Sequence, residues 1–570
     1  MNRKNTFYFS IALIFIINII SNHFSFNIDL TEDKRYTLSN ESKNILNDIN
    51  DNLSIKVYLE GDLPAGFELL SNSINDFLVS CKKENNLIDI EFIDPNIDDL
   101  EQKENLFKQL QDQGLYPTDL TIKKTNETSK KIIFPGAIIY FKDKRECVNI
   151  LENNFSVSPQ SNINSSIENI EFQFISTFNK MLNNKKANIA ILEGNGELTE
   201  NELYDLTNSV NGDNNNLNYY YNVERFNLKE FEYDSIKNEP LISNQLNRLN
   251  RYDVAIIASP TVPFNKLDKF LLDQYIMNGG KILLVTDGVN ANLDSLNNKE
   301  GFFISSKQTL NLDDQLFKYG LRINSDLIQD IRSTEIPIIT GYSNNRPIQE
   351  FFKWPYFPLI AGNENIISKN IDAISTNFVS SIDTIKNNIQ KTILLSSSDK
   401  SRIIQTPTKI SLSILENQLP TNTFNKKNIP IAVLLSGSFT SVFKDRITPK
   451  DKNINFREFS DSTEIIVISD GDIIRNDISS KGFPLPLGYD KYINYTYDGN
   501  KKFILNAVQY LSDNDGLINL RSKSLKIRLL NMDLINNYNS LIMILNIFLP
   551  VILFFLIILT IQFNIKPKYE

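Results

Sequence analysis

Apolar residues fall into three patterns along the 570 positions of this chain. The first is found near the two ends. Asn5 to Ile28 carries no formal charge, with an apolar centre from Phe7 to Ile20, Arg3 and Lys4 before it and Asp29, Glu32 and Asp33 after it. A run of about 20 residues suffices to cross a bilayer. Ser-Asn-His and His-Phe-Ser are poor matches to a small-x-small cleavage site, so an uncleaved anchor over 5–26 is expected rather than a signal peptide. Near the other end, Leu534 to Ile565 is uncharged and Leu541 to Phe563 is almost wholly apolar, closed by Lys566 and Lys568. This predicts a second membrane helix over 541–563, kinked at Pro550. The basic residues Arg3, Lys4, Lys566 and Lys568 favour cytoplasmic termini and a periplasmic middle, an inner-membrane protein of two passes; Lys523, Lys526 and Arg528 weigh against that orientation.

The second pattern is alternation, mixed with helical spacing, from Asp29 to Leu151. Ser54–Leu59 and Leu87–Ile93 read as strands. Between them Phe67, Leu70, Ile74, Phe77 and Leu78 share a helix face, and Glu101–Gln113 reads as a helix stopped at Gly114. Leu120–Lys124 and Ala137–Phe141 read as two further strands. The order β-α-β-α-β-β predicts a thioredoxin-like domain over 29–151, without that fold's redox dithiol. A linker and helix over 152–185 follow, polar from Glu152 to Ser166, helical through Met181.

The third pattern is the short continuous apolar run, typical of parallel strands buried on both faces. Asn188–Leu192, Asp253–Ala258, Lys281–Val285, Ile429–Leu435 and Glu464–Ser469 fit it. Leu267, Phe270, Leu271 and Tyr275 mark a helix stopped by Gly279-Gly280, completing a βαβ unit and with it a parallel sheet. Lys501–Leu511 reads as a last amphipathic helix. The expected class is α/β, with a Rossmann-like doubly wound parallel sheet over 186–520. The stretch 290–428 is poorly patterned, as long loops or an insertion would be.

Composition narrows the chemistry. A net charge of −9 disfavours nucleic acid as a partner. The one histidine, His23, lies beside the first apolar run, so the rest of the chain has no histidine for a zinc site or a Ser-His-Asp hydrolase. Cys81 and Cys147 allow one disulfide or two free thiols. There is no GxxxxGK[ST] and no GxSxG. Candidate ligand loops follow strand ends. Glu193-Gly194-Asn195-Gly196-Glu197 has a GxG that fits phosphate approach or a tight strand-to-helix turn, and the turn is favoured because a third glycine is absent and two glutamates repel anions. Asp287-Gly288 and Asp470-Gly471-Asp472, with Glu193, form either an acidic cation site or a set of turn and cap carboxylates, the second being favoured. Phe351, Phe352, Trp354, Tyr356 and Phe357 form either a partner-facing loop or a hydrophobic plug. No catalytic, metal or cofactor residue is assigned.

Longer segments carry a resemblance. They are DLTEDKRYTLS (Asp29–Ser39), VYLEGDLPAGF (Val57–Phe67), ANIAILEGNGE (Ala187–Glu197), FLLDQYIMNGGK (Phe270–Lys281), YGLRINSD (Tyr319–Asp326), LGYDKY (Leu487–Tyr492) and Phe503–Arg521 with the C-terminal helix. With these the chain resembles the GldG family of gliding-motility ABC-transporter auxiliary proteins of the Bacteroidetes. The resemblance implies a non-catalytic membrane subunit accompanying a separate ABC permease and a separate ABC ATPase. It also implies a Rossmann-like module related to one in intraflagellar-transport proteins. The family often has a histidine where Asn195 stands, which puts a ligand role for that loop in doubt, and no catalytic residue is carried over. A membrane-tethered hydrolase using Glu193, Asp287 and Asp470, which requires those carboxylates to meet in one cleft, and a structural tether to surface machinery are the alternatives.

Overall fold

The computed structural model describes residues 37–124, 127–152, 158–182, 186–212, 215–235, 239–343, 346–415, 419–449, 451, 453–513, 516–522 and 532–564. The chain divides into two compact units, Met1–Lys523 and Ser524–Glu570.

In the first unit, helix α1 (Asn40–Asn47) begins where the Ser39 hydroxyl accepts the Ser42 N–H. Strand β1 (Leu53–Val57) buries every second residue and leads to helix α2 (Ala65–Glu84), which turns Leu70, Ile74, Leu78 and Cys81 inward. Strand β2 (Ile88–Phe92) and helix α3 (Leu100–Asp112) follow. Strands β3 (Thr118–Lys124) and β4 (Glu127–Ile133) form a hairpin of their own. Strands β5 (Gly136–Phe141) and β6 (Lys144–Asn149) complete a four-stranded sheet of order β2-β1-β5-β6, in which only β1 and β2 run parallel. Leu120–Lys124, expected in this sheet, is therefore elsewhere, and its place is taken by β6. That edge strand reads KRECVN and fully buries only Val148, so it carries too little apolar period to be read as a strand. Helix α4 (Pro159–Leu182) starts inside the stretch expected to be a polar linker and covers the sheet with Phe174, Ile175 and Phe178. Both cysteines are free thiols. Burial pushes the Cys147 thiol up to about 12.

A seven-stranded sheet follows. Strands β7 (Asn188–Glu193) and β8 (Asn222–Asn227) pair in parallel. Helix α5 (Ile242–Leu249) leads to β9 (Val254–Ala258), and helix α6 (Lys266–Met277) to β10 (Lys281–Val285), both strands parallel to β7. The Asn265 side chain and Asp268 close a capping box at the start of α6. At its end Gly279 takes φ +94, and a Cβ on Gly280 would stand 2.4 Å from the Tyr275 ring. The two residue sets of each central strand face different layers. Ile189, Ile191, Val254, Ile256, Leu283 and Val285 pack on one side; Ala190, Leu192, Ala255, Ile257, Ile282 and Leu284 pack on the other against α5 and α6.

Beyond β10 come helix α7 (Asp313–Tyr319), the long hairpin β11 (Ser333–Ser343) and β12 (Arg346–Ile360), and strand β13 (Gln390–Ser396). Strands β14 (Pro430–Thr440) and β15 (Phe459–Ile468) then enter the large sheet, whose order is β13-β14-β15-β10-β9-β7-β8. Helix α8 (Gly499–Ser512) covers the first of the two layers with Phe503, Ile504, Ala507, Val508 and Leu511.

The expected fold class needs correction here. The structure is mixed α/β with many small sheets, and its large sheet is not purely parallel: β14 is antiparallel to both β13 and β15. IPIAVLL is apolar at every position, and a strand without alternation gives no signal of its direction. The poorly patterned 290–428 holds several two- and three-stranded sheets rather than long loops alone.

In the second unit, helix α9 (Met532–Asn564) contains Pro550 and departs from helical angles at Tyr538. Among the described residues no helix is long and apolar enough to cross a membrane. The expected span over 541–563 is thus not supported. That over 5–26 lies outside the described residues, as do His23, Lys523, Lys526, Arg528, Lys566 and Lys568. The two-pass inner-membrane placement with a periplasmic main domain falls with them.

Asp273 on α6 ties three elements together inside the first unit. It is fully buried and accepts the Tyr319 hydroxyl at 2.8 Å, the Ser441 hydroxyl at 2.6 Å and the Val442 N–H at 2.8 Å. Asp273→Ala strands three donors in the core and is predicted to cost about 3–5 kcal/mol in denaturant unfolding. Phe483→Ala, at a residue 66% exposed, is predicted to change stability by less than about 0.5 kcal/mol in the same measurement.

Candidate functional site

Strands β7, β9 and β10 point their carboxyl ends to one edge of the large sheet, where ligands of open α/β sheets bind. The chain leaves β7 for β8 on one side and returns to β9 on the other, so the strand order reverses between β7 and β9. The loops at that point lock together. The Asn195 carbonyl accepts the N–H groups of Thr261 (3.0 Å) and Val262 (2.8 Å), and the Leu198 N–H donates to the Ala258 carbonyl at 3.0 Å. Asn195 is fully buried; its amide donates to the Pro263 carbonyl at 3.2 Å and to Asp268 at 3.3 Å. Glu197 accepts the Asn195 N–H at 2.7 Å, and burial raises its pKa. Gly194 and Gly196 both take positive φ, +116 and +72, so the glycines serve a tight turn. One oxygen each of Asn195, Glu197 and Asp268 is buried without a hydrogen-bond partner.

The acidic residues fall into two groups. Glu193 at the end of β7 pairs with Arg225 of β8, which also donates to the Leu198 carbonyl at 2.7 Å. Asp287, Asp470 and Asp472 come together at the ends of β10 and β15. Asp287 accepts the Gly471 N–H at 2.7 Å; Asp470 accepts the N–H groups of Asp472 and Asn377, each at 2.9 Å; Asp472 pairs with Arg475 at 2.8 Å. Asp470 is fully buried, while Asp287 and Asp472 are half-buried. Burial and the neighbouring Asp472 raise Asp287 to about 7. Asp470 is held well above the usual carboxylate range by burial and by both neighbours, and burial raises Asp472. A Cβ on Gly471 would stand 2.4 Å from both Asp287 Oδ2 and Ser259 Oγ, so glycine is what lets the two loops touch. Among the described residues no group of three or more His, Cys, Asp or Glu side chains is placed to hold a metal ion. Of the three carboxylates required of the hydrolase reading, Asp287 and Asp470 meet, and Glu193 is engaged by Arg225.

Trp354 is fully buried beside Tyr356 and Phe357, its ring centroid 5.4 Å from that of Tyr356. Phe351, three residues earlier, is 47% exposed. The aromatic run is therefore part plug and part surface. Residues that sequence reasoning missed are Ser259, which takes φ +49 directly after β9, and Asn377, Ser380 and Arg475. The Ser-Pro step ending DVAIIA signalled the first; Asn377 and Ser380 sit in the unpatterned stretch and had no signal. The hydroxyls of Thr286 and Ser380, beside this carboxylate group, are buried without partners.

The carboxylates fix a pH dependence. An unfolded aspartate loses its proton near pH 4, whereas folded Asp287 holds its proton up to about 7, so through this group the folded state binds more protons between those values. This contribution to stability is present at low pH and declines as pH rises through that window, by at most about 1.4 kcal/mol per pH unit. Asp287→Asn is predicted to flatten the slope and to leave the protein more stable than wild type at pH 8, by urea unfolding from pH 5 to 8. Identical slopes for the two proteins would contradict the assignment.

Residues 186–507, which hold the whole large sheet, match the family described as an ABC-type uncharacterized transport system. Residues 32–140, which hold most of the four-stranded sheet, match a domain of unknown function, DUF7088. An uncharacterized protein of Borreliella burgdorferi (strain ATCC 35210 / DSM 4680 / CIP 102532 / B31) is 21% identical over 578 residues, spanning 98% of this chain and 97% of that one. Among solved structures, the mmIFT52 N-terminal domain aligns with 58% of this chain and 99% of its own, at 15% identity and a TM-score of 0.30. With more than half of its length matched, this chain belongs to the family of auxiliary proteins of ABC-type transport systems.

Proposed function

We propose that the protein is a non-catalytic auxiliary subunit that works beside a separate ABC permease and a separate ABC ATPase. The observation that carries this reading is the family match over 186–507, the module built on the large sheet. The chain has no P-loop of its own, so ATP hydrolysis of that type must come from another subunit. The carboxyl edge of the sheet supports binding as its task. Its loops are held by their own hydrogen bonds around the buried Asn195 and Asp470, and the half-buried Glu197, Asp287 and Asp472 are the side chains it offers to a ligand or partner. The finer assignment, to the gliding-motility branch of such systems, rests on the seven GldG-like segments quoted above.

Affinity purification of the tagged full-length chain from detergent-solubilised cells, with mass spectrometry, tests the proposal. The expected result is one ABC ATPase and one multi-span permease recovered in near-equal amounts with the chain. Recovery of the chain alone contradicts it. Deleting the chain in a gliding host tests the finer assignment: loss of gliding is expected, and unchanged gliding contradicts it.

A further inference from the structure

The hairpin β11–β12 extends beyond its own core. Near its base Ile336, Ile338 and Trp354 turn one face onto a hydrophobic cluster with Leu327, Tyr356 and Phe378. The opposite face has no such cover. Its cross-strand pairs are Pro337 with Phe351, Ile339 with Gln349 and, past a bulge, Tyr342 with Pro347. Ile339 is 51% exposed, Tyr342 72% and Phe351 47%. Gln349 and the hydroxyl tip of Tyr342 are the polar groups among these six, and the pair Glu335–Lys353 bounds the patch at the base.

The shape and size of this face choose its occupant. From Pro337 to Tyr342 it is about 17 Å long, and two strands with their side chains are about 10 Å wide. That is the footprint of three turns of one α-helix. The exposed apolar area is on the order of 350 Å². A self-complementary contact of two such faces would bury less than half of the roughly 800 Å² per partner that a stable dimer needs. Edge pairing with another strand is blocked as well, since Pro337 on β11 and Pro347 on β12 have no N–H to donate. A larger hetero-complex, in which this contact is one part, can use so small an apolar face. We infer that the β11–β12 arm docks one apolar helix face of a partner subunit of the transport complex. This rests on the reading of the chain as an auxiliary subunit.

The full-length chain carrying a benzophenone photo-crosslinking residue in place of Tyr342 is irradiated in cells, and the adduct is identified by mass spectrometry. The expected adduct is a helical segment of the ABC permease or ATPase, absent when the probe replaces Phe483. A chain with Ile339→Ser and Phe351→Ser, both exposed, is expected to unfold as wild type does and to recover the transporter subunits at least about ten-fold less well. If wild type recovers both subunits but the adduct is a second copy, a lipid or nothing, or the double variant recovers them equally, the arm assignment is overturned and the auxiliary reading stands. If wild type recovers neither subunit, the auxiliary reading fails and the arm assignment fails with it.

Discussion

Strands β7, β9 and β10 and the end of β15 from Ile465 to Ile468 are apolar on both faces, and almost everything else in the first unit follows from the need to cover them. A parallel strand without a polar side cannot face water, so each must be sandwiched between layers. The alternate residues of these strands divide cleanly: Ile191, Ile256 and Leu283 lie toward α8, while Leu192, Ile257 and Leu284 lie toward α5 and α6. With both faces closed, only the ends of the strands can carry chemistry. The candidate loops after β7, β9, β10 and β15 lie at such ends for this reason.

What stands at that edge is largely engaged within the protein. Asn195 is used up in knitting one loop to the next, and Glu193 is engaged by Arg225. Asp287, Asp470 and Asp472 do meet, but their oxygens accept backbone N–H groups and the Arg475 guanidinium. The cluster behaves as a buried acidic knot that joins the ends of β10 and β15 to Asn377. Its cost in mutual repulsion is relieved by holding a proton near neutral pH, which makes this edge sensitive to pH.

Much of this was legible in the sequence, and the gaps have physical causes. The strand cores from NIAIL to EIIVIS and the helix from Leu267 to Tyr275 stood out because burial on two faces or on one stripe leaves an unbroken signature. The approach of Asp287 to Asp470 could be suspected, since both follow strands of one sheet. That Glu193 would be claimed by Arg225 could not, because cross-strand register is a tertiary fact. The direction of β14, the strand β6 with its one fully buried valine, and β13 all lacked a period to read. Trp354 and Phe351 looked alike as members of one aromatic run, yet strand alternation sends Trp354 into the core and Phe351 to the solvent face. The apolar run near the C-terminus was read as a membrane span from composition alone, and among the described residues no helix is long and apolar enough to be one.

The central proposal is that this chain is an auxiliary subunit that associates with an ABC permease and an ABC ATPase. Native mass spectrometry of the separately purified permease–ATPase pair, with and without the purified chain, tests it most directly. The account predicts a single mass shift of the pair by a whole number of chains of 65.5 kDa, with no ATP hydrolysis by the chain alone. A pair whose mass is unchanged across a concentration series of the chain would contradict it.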